Sequence, residues 1–393
     1  MVLAATLANA DNLHAVHMFC TSKEAWLRGF LRLENGVPCY DTFRRILQGL
    51  NPVAFQQAFQ RWTQSVADSL DGQVVPIDGK ALRGSASRAR GTDPIRMVSA
   101  WAADQGLVLA QVKVDDKSNE ITAIPQLLDR LVLEGALVTI DAIGCQKEIA
   151  AKIVEAKADY VLALKGNQRK LHAQAHEAFE QLPWPEGSQP LKAHKTTRSL
   201  PPPEAKRGSV LLEFRALRGS VKVGGKRVEV CGYEQREGGH GRQQTRRFWV
   251  LPRVDWIEGH KEWAGLKALG MVECERWVRG KRQASVERRY YVLSFENELR
   301  FAKAVRSHWQ VENALHWRLD VTFGEDQVQV RDEVLAENLS TVRRIALNVL
   351  KQDTSGRAKS IRQRRHAAAY DERYLLEQLQ RVPLFQDAYA ERP

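Results

Sequence analysis

The sequence predicts an α/β fold: a mixed sheet flanked by helices, interrupted by a mainly β insertion and preceded by a helical N-terminal region. Three observations predict it. Between residues 71 and 170, short β-branched apolar runs alternate with amphipathic helical stretches. Residues 1–70 carry helical periodicity and no strand pattern. From 171 to 295 the alternation gives way to strand-like runs punctuated by Gly and Pro, and helical patterning returns at 296.

The elements follow in order. "TSKEAWLRGFLRL" opens on a Thr/Ser cap signal, and "NPVAFQQAFQRWTQSV" places Pro52 early in a run with apolar residues at helical steps. "QVVPIDGK", residues 73–80, is a short apolar run ending in Asp-Gly, while "IRMVSAWA" and "GLVLAQVKV" flank Asp104-Gln105-Gly106 like the arms of a hairpin. "EITAIPQLLDRLV" reads as a helix with Pro125 near its start. "ALVTIDAI" reads as a buried strand, "CQKEIAAKIVEAKA" as a helix and "DYVLALKG" as another strand. Helices of this length supply the crossovers that parallel strands need. Ligands of such sheets bind beyond the carboxyl ends of the strands, and Asp78 and Asp141 are expected at two of those ends.

The insertion holds the runs "SVLLEFRALRG", "KRVEVCGYE", "RRFWVLP" and "RRYYVLS". Two helices are expected after it, in "NELRFAKAVRSHWQVENALHWRLDVTF" and "EVLAENLSTVRRIALNVLKQ", and then a basic tail. The expected divisions are 1–70, a core of 71–170 with 296–352, the insertion 171–295 and the tail 353–393.

Charge narrows the function. The 393 residues carry 59 Lys and Arg against 47 Asp and Glu, a net charge of +12, which draws a protein to polyanions. The bias is local: residues 205–253 hold 12 Lys and Arg against 4 Glu. Five scattered cysteines without a C-x-x-C pair indicate neither a disulfide framework nor a thiolate zinc site, so a reducing cytoplasm is expected. Without a run near the ~20 apolar residues of a membrane span, nucleic acid is the expected polyanion and no membrane partner is expected.

Two aspartates at neighbouring strand ends, with Glu312 on a helix closing over them, would form an oxygen-ligand site of the kind Mg²⁺ prefers. In-line phosphoryl transfer on two metal ions is the chemistry that needs such a site. Each acid has a plainer alternative: Asp78 could open an Asp-Gly turn, Asp141 could cap the helix after it, and Glu312 could be a solvated face residue. Trp309, Leu315 and Trp317 around Glu312 argue against full exposure. His308, Glu312 and His316 stand four residues apart, but the angular drift of an α-helix and their axial spread argue against a three-ligand zinc site.

Several motifs together resemble a known family. "IDGKALRGS", "MVSAWAADQGLVLAQVKVDDKSNEITAIPQLLDRL", "VTIDAIGCQKEIA", "YVLALKGNQ" and "HWQVENALHWRLDVTFGEDQ" are similar to the H-repeat-associated and ISAs-type insertion-sequence transposases, a DDE branch with an RNase H-like core. The likeness runs from "NGVPCYDTFRRIL" to "NLSTVRRIALNVLKQ". It implies an enzyme that cuts and joins double-stranded DNA at element ends and target, with Asp78, Asp141 and Glu312 as catalytic, metal-holding acids. Mg²⁺ is the implied metal, Mn²⁺ a substitute, and a homodimer on paired ends is implied, in a cytoplasmic, nucleoid-associated setting. The acids are separated by 63 and then 171 residues, the second gap containing the insertion.

The expected DNA contacts are Lys80 and Arg83 after the first acid, and Arg242, Arg246, Arg247, Trp249 and Trp277 in the insertion, with Arg279 and Lys281 beside them. Lys and Arg would meet phosphates and an aromatic face an unstacked base; core packing is the alternative for each tryptophan. Where related transposases carry Tyr, Arg and Lys around the glutamate, this chain has Val305, His308 and Leu319. Arg306, His308 or Asn313 are the expected substitutes, and Asp320, Glu325 and Asp326 are rival acids. The chain is also expected to begin inside the family's N-terminal domain, which would weaken end recognition. Two further readings stay open: a DNA-binding remnant without catalysis, and an RNase H-like nuclease.

Overall fold

The computed structural model describes residues 1–87, 91–115, 118–182, 210–239, 242–278 and 284–382. Their contacts gather into two compact units. One holds residues 1–69, 77–131 and the chain from Trp309 onward; the other holds 70–76 and 132–308. These divisions differ from boundaries at 70, 170 and 296.

In the first unit, five helices come first: α1 (Val2–Leu7), α2 (Leu13–Ser22), α3 (Glu24–Arg28), α4 (Tyr40–Gly49) and α5 (Pro52–Val66). Asn12 and Asn51 start α2 and α5 by accepting hydrogen bonds from the Ala15 and Ala54 amides, and Pro52 takes the first turn, where a missing N–H costs nothing. Strands β1 (Val74–Leu82), β2 (Ile95–Ala102) and β3 (Leu107–Lys113) follow, with α6 (Glu120–Leu128). The first three residues of β1 belong to the second unit. β2 and β3 form the expected hairpin, with Gly106 at φ 70 in its turn.

Asp78 does not end a strand. β1 continues through Asp78-Gly79 to Leu82, and its antiparallel pairing with β2 sets Asp78 opposite Ser99. The Asp-Gly pair resembles a turn signal, but here glycine serves close approach, because a Cβ on Gly79 would collide with the Glu120 carboxylate.

The long α10 (Glu333–Lys351) is buried on every side from Leu335 to Leu350. A helix so enclosed must satisfy its polar side chains internally. Asn348 donates to the Val108 carbonyl at 2.8 Å and accepts from its amide at 2.9 Å, gripping β3. Asn338 donates to the carbonyls of Leu47 and Leu50, and Gln111 donates to Thr341 at 2.8 Å. α11 (Ile361–Tyr370) opens on a capping box of Ser360 and Gln363, and α12 (Glu372–Leu379) ends the described helices. The core of this unit joins Leu7, Phe59, Trp101, Leu315, Phe323 and Leu347.

The second unit contains β4 (Leu137–Ile140), α7 (Lys147–Glu155) and β5 (Asp159–Leu164), with β4 and β5 parallel across the helical crossover. The Leu137 amide bonds the Gln73 carbonyl at 2.8 Å, tying β4 to the start of β1. Residues 171–180, expected within the β insertion, instead belong to α8 (Arg169–Glu180), which buries Leu171, Ala175 and Phe179 at helical spacing. The insertion itself supplies β6 (Val210–Val223), β7 (Lys226–Gly239), β8 (Arg242–Pro252), β9 (Ala268–Val278) and β10 (Ser285–Leu293). They run antiparallel in the order β10-β9-β8-β7-β6, and β10 returns to pair with β5 through Tyr290↔Leu164. The insertion therefore extends the sheet. α9 (Glu298–Val311) leaves this unit and enters the first. No helix among the described residues is long and apolar enough to cross a membrane.

Candidate active site

In the first unit, the site is built from β1 and the segment after α9. That segment departs from α-helical winding: Glu312–His316 and Arg318–Thr322 are π-helical turns. The sequence explains why. Val311, Leu315, Leu319 and Phe323 are all buried at exact four-residue intervals, a spacing that drifts by about 40° per step on an α-helix. Turns closed by i→i+5 bonds wind more slowly and cancel that drift. The same correction aligns Glu312, His316 and Asp320 in one row and exposes Trp309, Asn313, Trp317 and Val321 in another.

Asp78 and Lys80 lie two residues apart on β1 and so share a face. His316 Nδ1 lies 3.6 Å from Asp78 Oδ2, and Asp78 Oδ1 accepts the Gly79 amide at 3.0 Å. Lys80, only 7% exposed, meets Asp320 at 2.5 Å, Asp326 at 3.2 Å and Glu325 at 3.4 Å. This placement corrects Lys80 as an expected phosphate contact, because its ammonium is enclosed by carboxylates. Burial raises the Asp320 pKa, with Asp326 and Glu325 adding to it and Lys80 opposing. Burial pushes Glu325 the same way, yet Arg344, Arg343 and Lys80 hold it at about 2. The rival acids are thus satisfied by protein cations. Arg83 is 82% exposed at its side chain, 3.7 Å from Asp326, and Asn313 is exposed. Glu312 is exposed too, contrary to the expectation from its aromatic neighbours, because Trp309 and Trp317 themselves face outward at 40% and 55%.

In the second unit, Asp141 directly follows β4, the expected strand end. It does not cap α7, whose N-cap is Gln146; its Oδ1 accepts the Ile143 amide at 3.0 Å instead. Asn167 and Gln168 brace this loop by donating to the carbonyls of Ala142 and Cys145. Sequence reasoning missed that role, although "KGNQ" directly after a strand was its signal. His308 Nδ1 sits 3.0 Å from Thr139 Oγ1, and burial lowers its pKa while Asp141 pulls the other way.

The insertion's expected DNA contacts are largely internal. Arg247, 4% exposed, binds Glu234 at 2.7 Å, Glu273 at 2.6 Å and Glu275 at 3.2 Å. Strand pairing explains the cluster, since Arg247 lies opposite Glu234 on β7 and Glu273 on β9. Trp249 is buried against Gly232, whose missing side chain makes its room. Trp277 is half-buried and donates to Glu275; Arg246 and Arg306 both pair with Glu237, at 2.8 and 2.7 Å. The side chain of Arg242, and Arg279 and Lys281 entirely, lie outside the described residues.

The carboxylates of Asp78, Asp141 and Glu312 are of the donor type a hard divalent cation takes. Within either unit, no three His, Cys, Asp or Glu side chains among the described residues are gathered for one ion. Asp78 and Glu312 belong to one unit and Asp141 to the other.

Comparison with known proteins supplies the class. The family model described as Transposase DDE domain matches residues 69–349, and one described as DDE_Tnp_1-associated matches residues 1–63. The chain belongs to the DDE transposases, the DNA-cutting enzymes of insertion sequences, whose core is the RNase H-like mixed sheet. Within that family it is similar to "H repeat-associated putative transposase YhhI" of Escherichia coli (strain K12), 34% identical over 379 residues, 95% of this chain and 89% of that one. It is also 35% identical over 370 residues to "Putative transposase YncI" of Escherichia coli O157:H7, covering 93% of this chain and 84% of that one. A piggyBac transposase synaptic complex with hairpin DNA is a distant structural neighbour: 10% identity, TM-score 0.34, 82% of this chain and 55% of that one.

Proposed function

We propose that this transposase cuts and joins DNA at its element's ends by metal-dependent phosphodiester hydrolysis and strand transfer, with Asp78, Asp141 and Glu312 as its catalytic acids. The observation that supports it most is the family match over 69–349, combined with the pairing of Asp78 to the segment that Glu312 heads. Magnesium, or manganese in its place, held by these acids would orient the attacking and leaving oxygens and neutralise the phosphate charge. His316 orients the Asp78 carboxylate, and His308, anchored on Thr139, stands by Asp141. Arg83 and Asn313 offer exposed groups to DNA. Double-stranded DNA is the partner, with a homodimer on paired ends and a nucleoid-associated location.

The test is nicking of DNA bearing the inverted repeats that flank the gene, with and without Mg²⁺. The wild-type chain should nick and Asp141→Asn should not, while both bind. Equal cleavage by both defeats the assignment; binding without cleavage by either favours a non-catalytic remnant. The outward tryptophans carry a separate expectation. Trp317→Ala should weaken single-stranded DNA binding by about 5- to 150-fold, the worth of one base stacked on an aromatic face, as read by fluorescence titration. An unchanged affinity would make Trp317 a bystander.

A further inference from the structure

The pairing of β1 with the π-helical segment has a regular geometry within the first unit. Asp78 and Lys80 share one face of β1, His316 and Asp320 share one row of the segment, and the two elements meet as a ladder with rungs at Asp78–His316 and Lys80–Asp320. The second rung is the heavier one. Lys80 meets Asp320 before the segment turns and Glu325 and Asp326 after it. Asp326 also accepts the Arg83 amide at 3.2 Å, and the Val330 amide donates to the Gly84 carbonyl at 2.9 Å. A Cβ on Gly84 would collide with the Val328 carbonyl, so the backbone itself approaches closely there.

We infer that Lys80 is a positioning residue: its buried ammonium, shared by Asp320, Glu325 and Asp326, holds the segment bearing Glu312 in register with the strand bearing Asp78. The inference rests on the reading of Asp78 and Glu312 as catalytic acids. A π-helical turn is a poor structure by itself, having weaker packing along its axis than an α-turn, and it needs an external tie to keep its register. A buried cation surrounded by three carboxylates is such a tie, because removing it takes the paired cation from Asp320 and leaves Glu325 and Asp326, still held by Arg344 and Arg83, to repel that carboxylate. The role as a DNA contact and the role as a tie predict different behaviour.

The experiment compares Lys80→Met, Asp320→Asn and the double variant. Each is measured for single-turnover cleavage at saturating DNA, DNA affinity across a salt series, and amide hydrogen exchange over residues 312–326. If Lys80 positions, Lys80→Met should speed exchange in that segment and slow cleavage by about 10²-fold, the scale of a 1 Å misplacement, with affinity and salt slope unchanged. Asp320→Asn should have a similar effect, and the double variant should be no slower than the worse single one. Asn348→Ala, which loosens α10 from β3 away from this ladder, serves as a stability control and should cleave at the wild-type rate below its melting temperature.

A weakened affinity with a salt slope reduced by about one for Lys80→Met alone would overturn the inference in favour of a phosphate contact. Faster exchange with undiminished cleavage would overturn it as well. Failure of the catalytic reading shows itself separately, as undiminished cleavage by Glu312→Gln.

Discussion

Replacing Asp78 with asparagine is expected to slow strand cleavage by about 10³-fold, on the scale of losing a principal electrostatic stabiliser of a transition state, with DNA affinity close to wild type. The substitution is nearly isosteric. An amide oxygen can still accept the Gly79 amide, so β1 keeps its course, while the negative charge a hard cation requires is gone. Glu312→Gln should behave alike and at little structural cost, since Glu312 is exposed and changes at exposed positions usually move stability by less than about 0.5 kcal/mol. The measurement is single-turnover cleavage beside a binding titration. Cleavage within tenfold of wild type in both variants would remove these acids from the mechanism.

The largest effect on stability is expected at Arg344, buried within α10 and 3.0 Å from Glu325. Arg344→Met leaves Glu325 enclosed without its main counter-charge, a loss of about 3 to 5 kcal/mol, read as a lowered urea midpoint. The pH dependence follows from the same pair. Glu325 titrates at about 2 in the folded chain against 4.5 as a free side chain. The unfolded chain therefore takes up the proton first as pH falls. The stabilisation is whole above about pH 5 and fades between about pH 5 and 2, for a total of about 3 kcal/mol. Asp320 works oppositely, its pKa being raised by burial and by Asp326 and Glu325. The difference between wild type and Glu325→Gln, melted at pH 7, 5 and 3, isolates Glu325. Identical pH profiles for the two would refute its role.

Much of the architecture was legible residue by residue. Local rules govern the early Pro52 of α5, the hairpin turn at Gly106 and the β4-α7-β5 crossover, and each of these forms as its pattern demands, whereas the Thr/Ser cap signal of "TSKEAWLRGFLRL" caps nothing, because Thr21 and Ser22 lie within α2 and Lys23 precedes α3 without a side-chain cap. The placement of Asp141 directly after β4 was legible for the same reason, as an apolar run stops where the strand stops. Asp78-Gly79 misled because one dipeptide serves two purposes. Whether glycine marks a turn or a close approach depends on what lies above it, and here that is Glu120, far along the chain.

The basic insertion illustrates the harder limit. Counting charges correctly located the excess between residues 205 and 253, but a count cannot say which arginines face water. Arg247 lies between Glu234 and Glu273 because β7, β8 and β9 are in one particular register, and a slip of one residue would turn it to the other face.

By itself, the sequence determined the class of fold, the order of the elements from β1 to β5, the family and the three acids worth testing, since these follow from local patterns and from motifs long enough to be specific. Only the tertiary structure decided that Lys80 and Arg247 are enclosed by carboxylates, that Trp317 faces outward, and that the segment after Val311 winds in π-turns. Those outcomes depend on pairings between residues distant along the chain, where burial and the satisfaction of charge are settled by whichever partners the fold brings within a few ångströms.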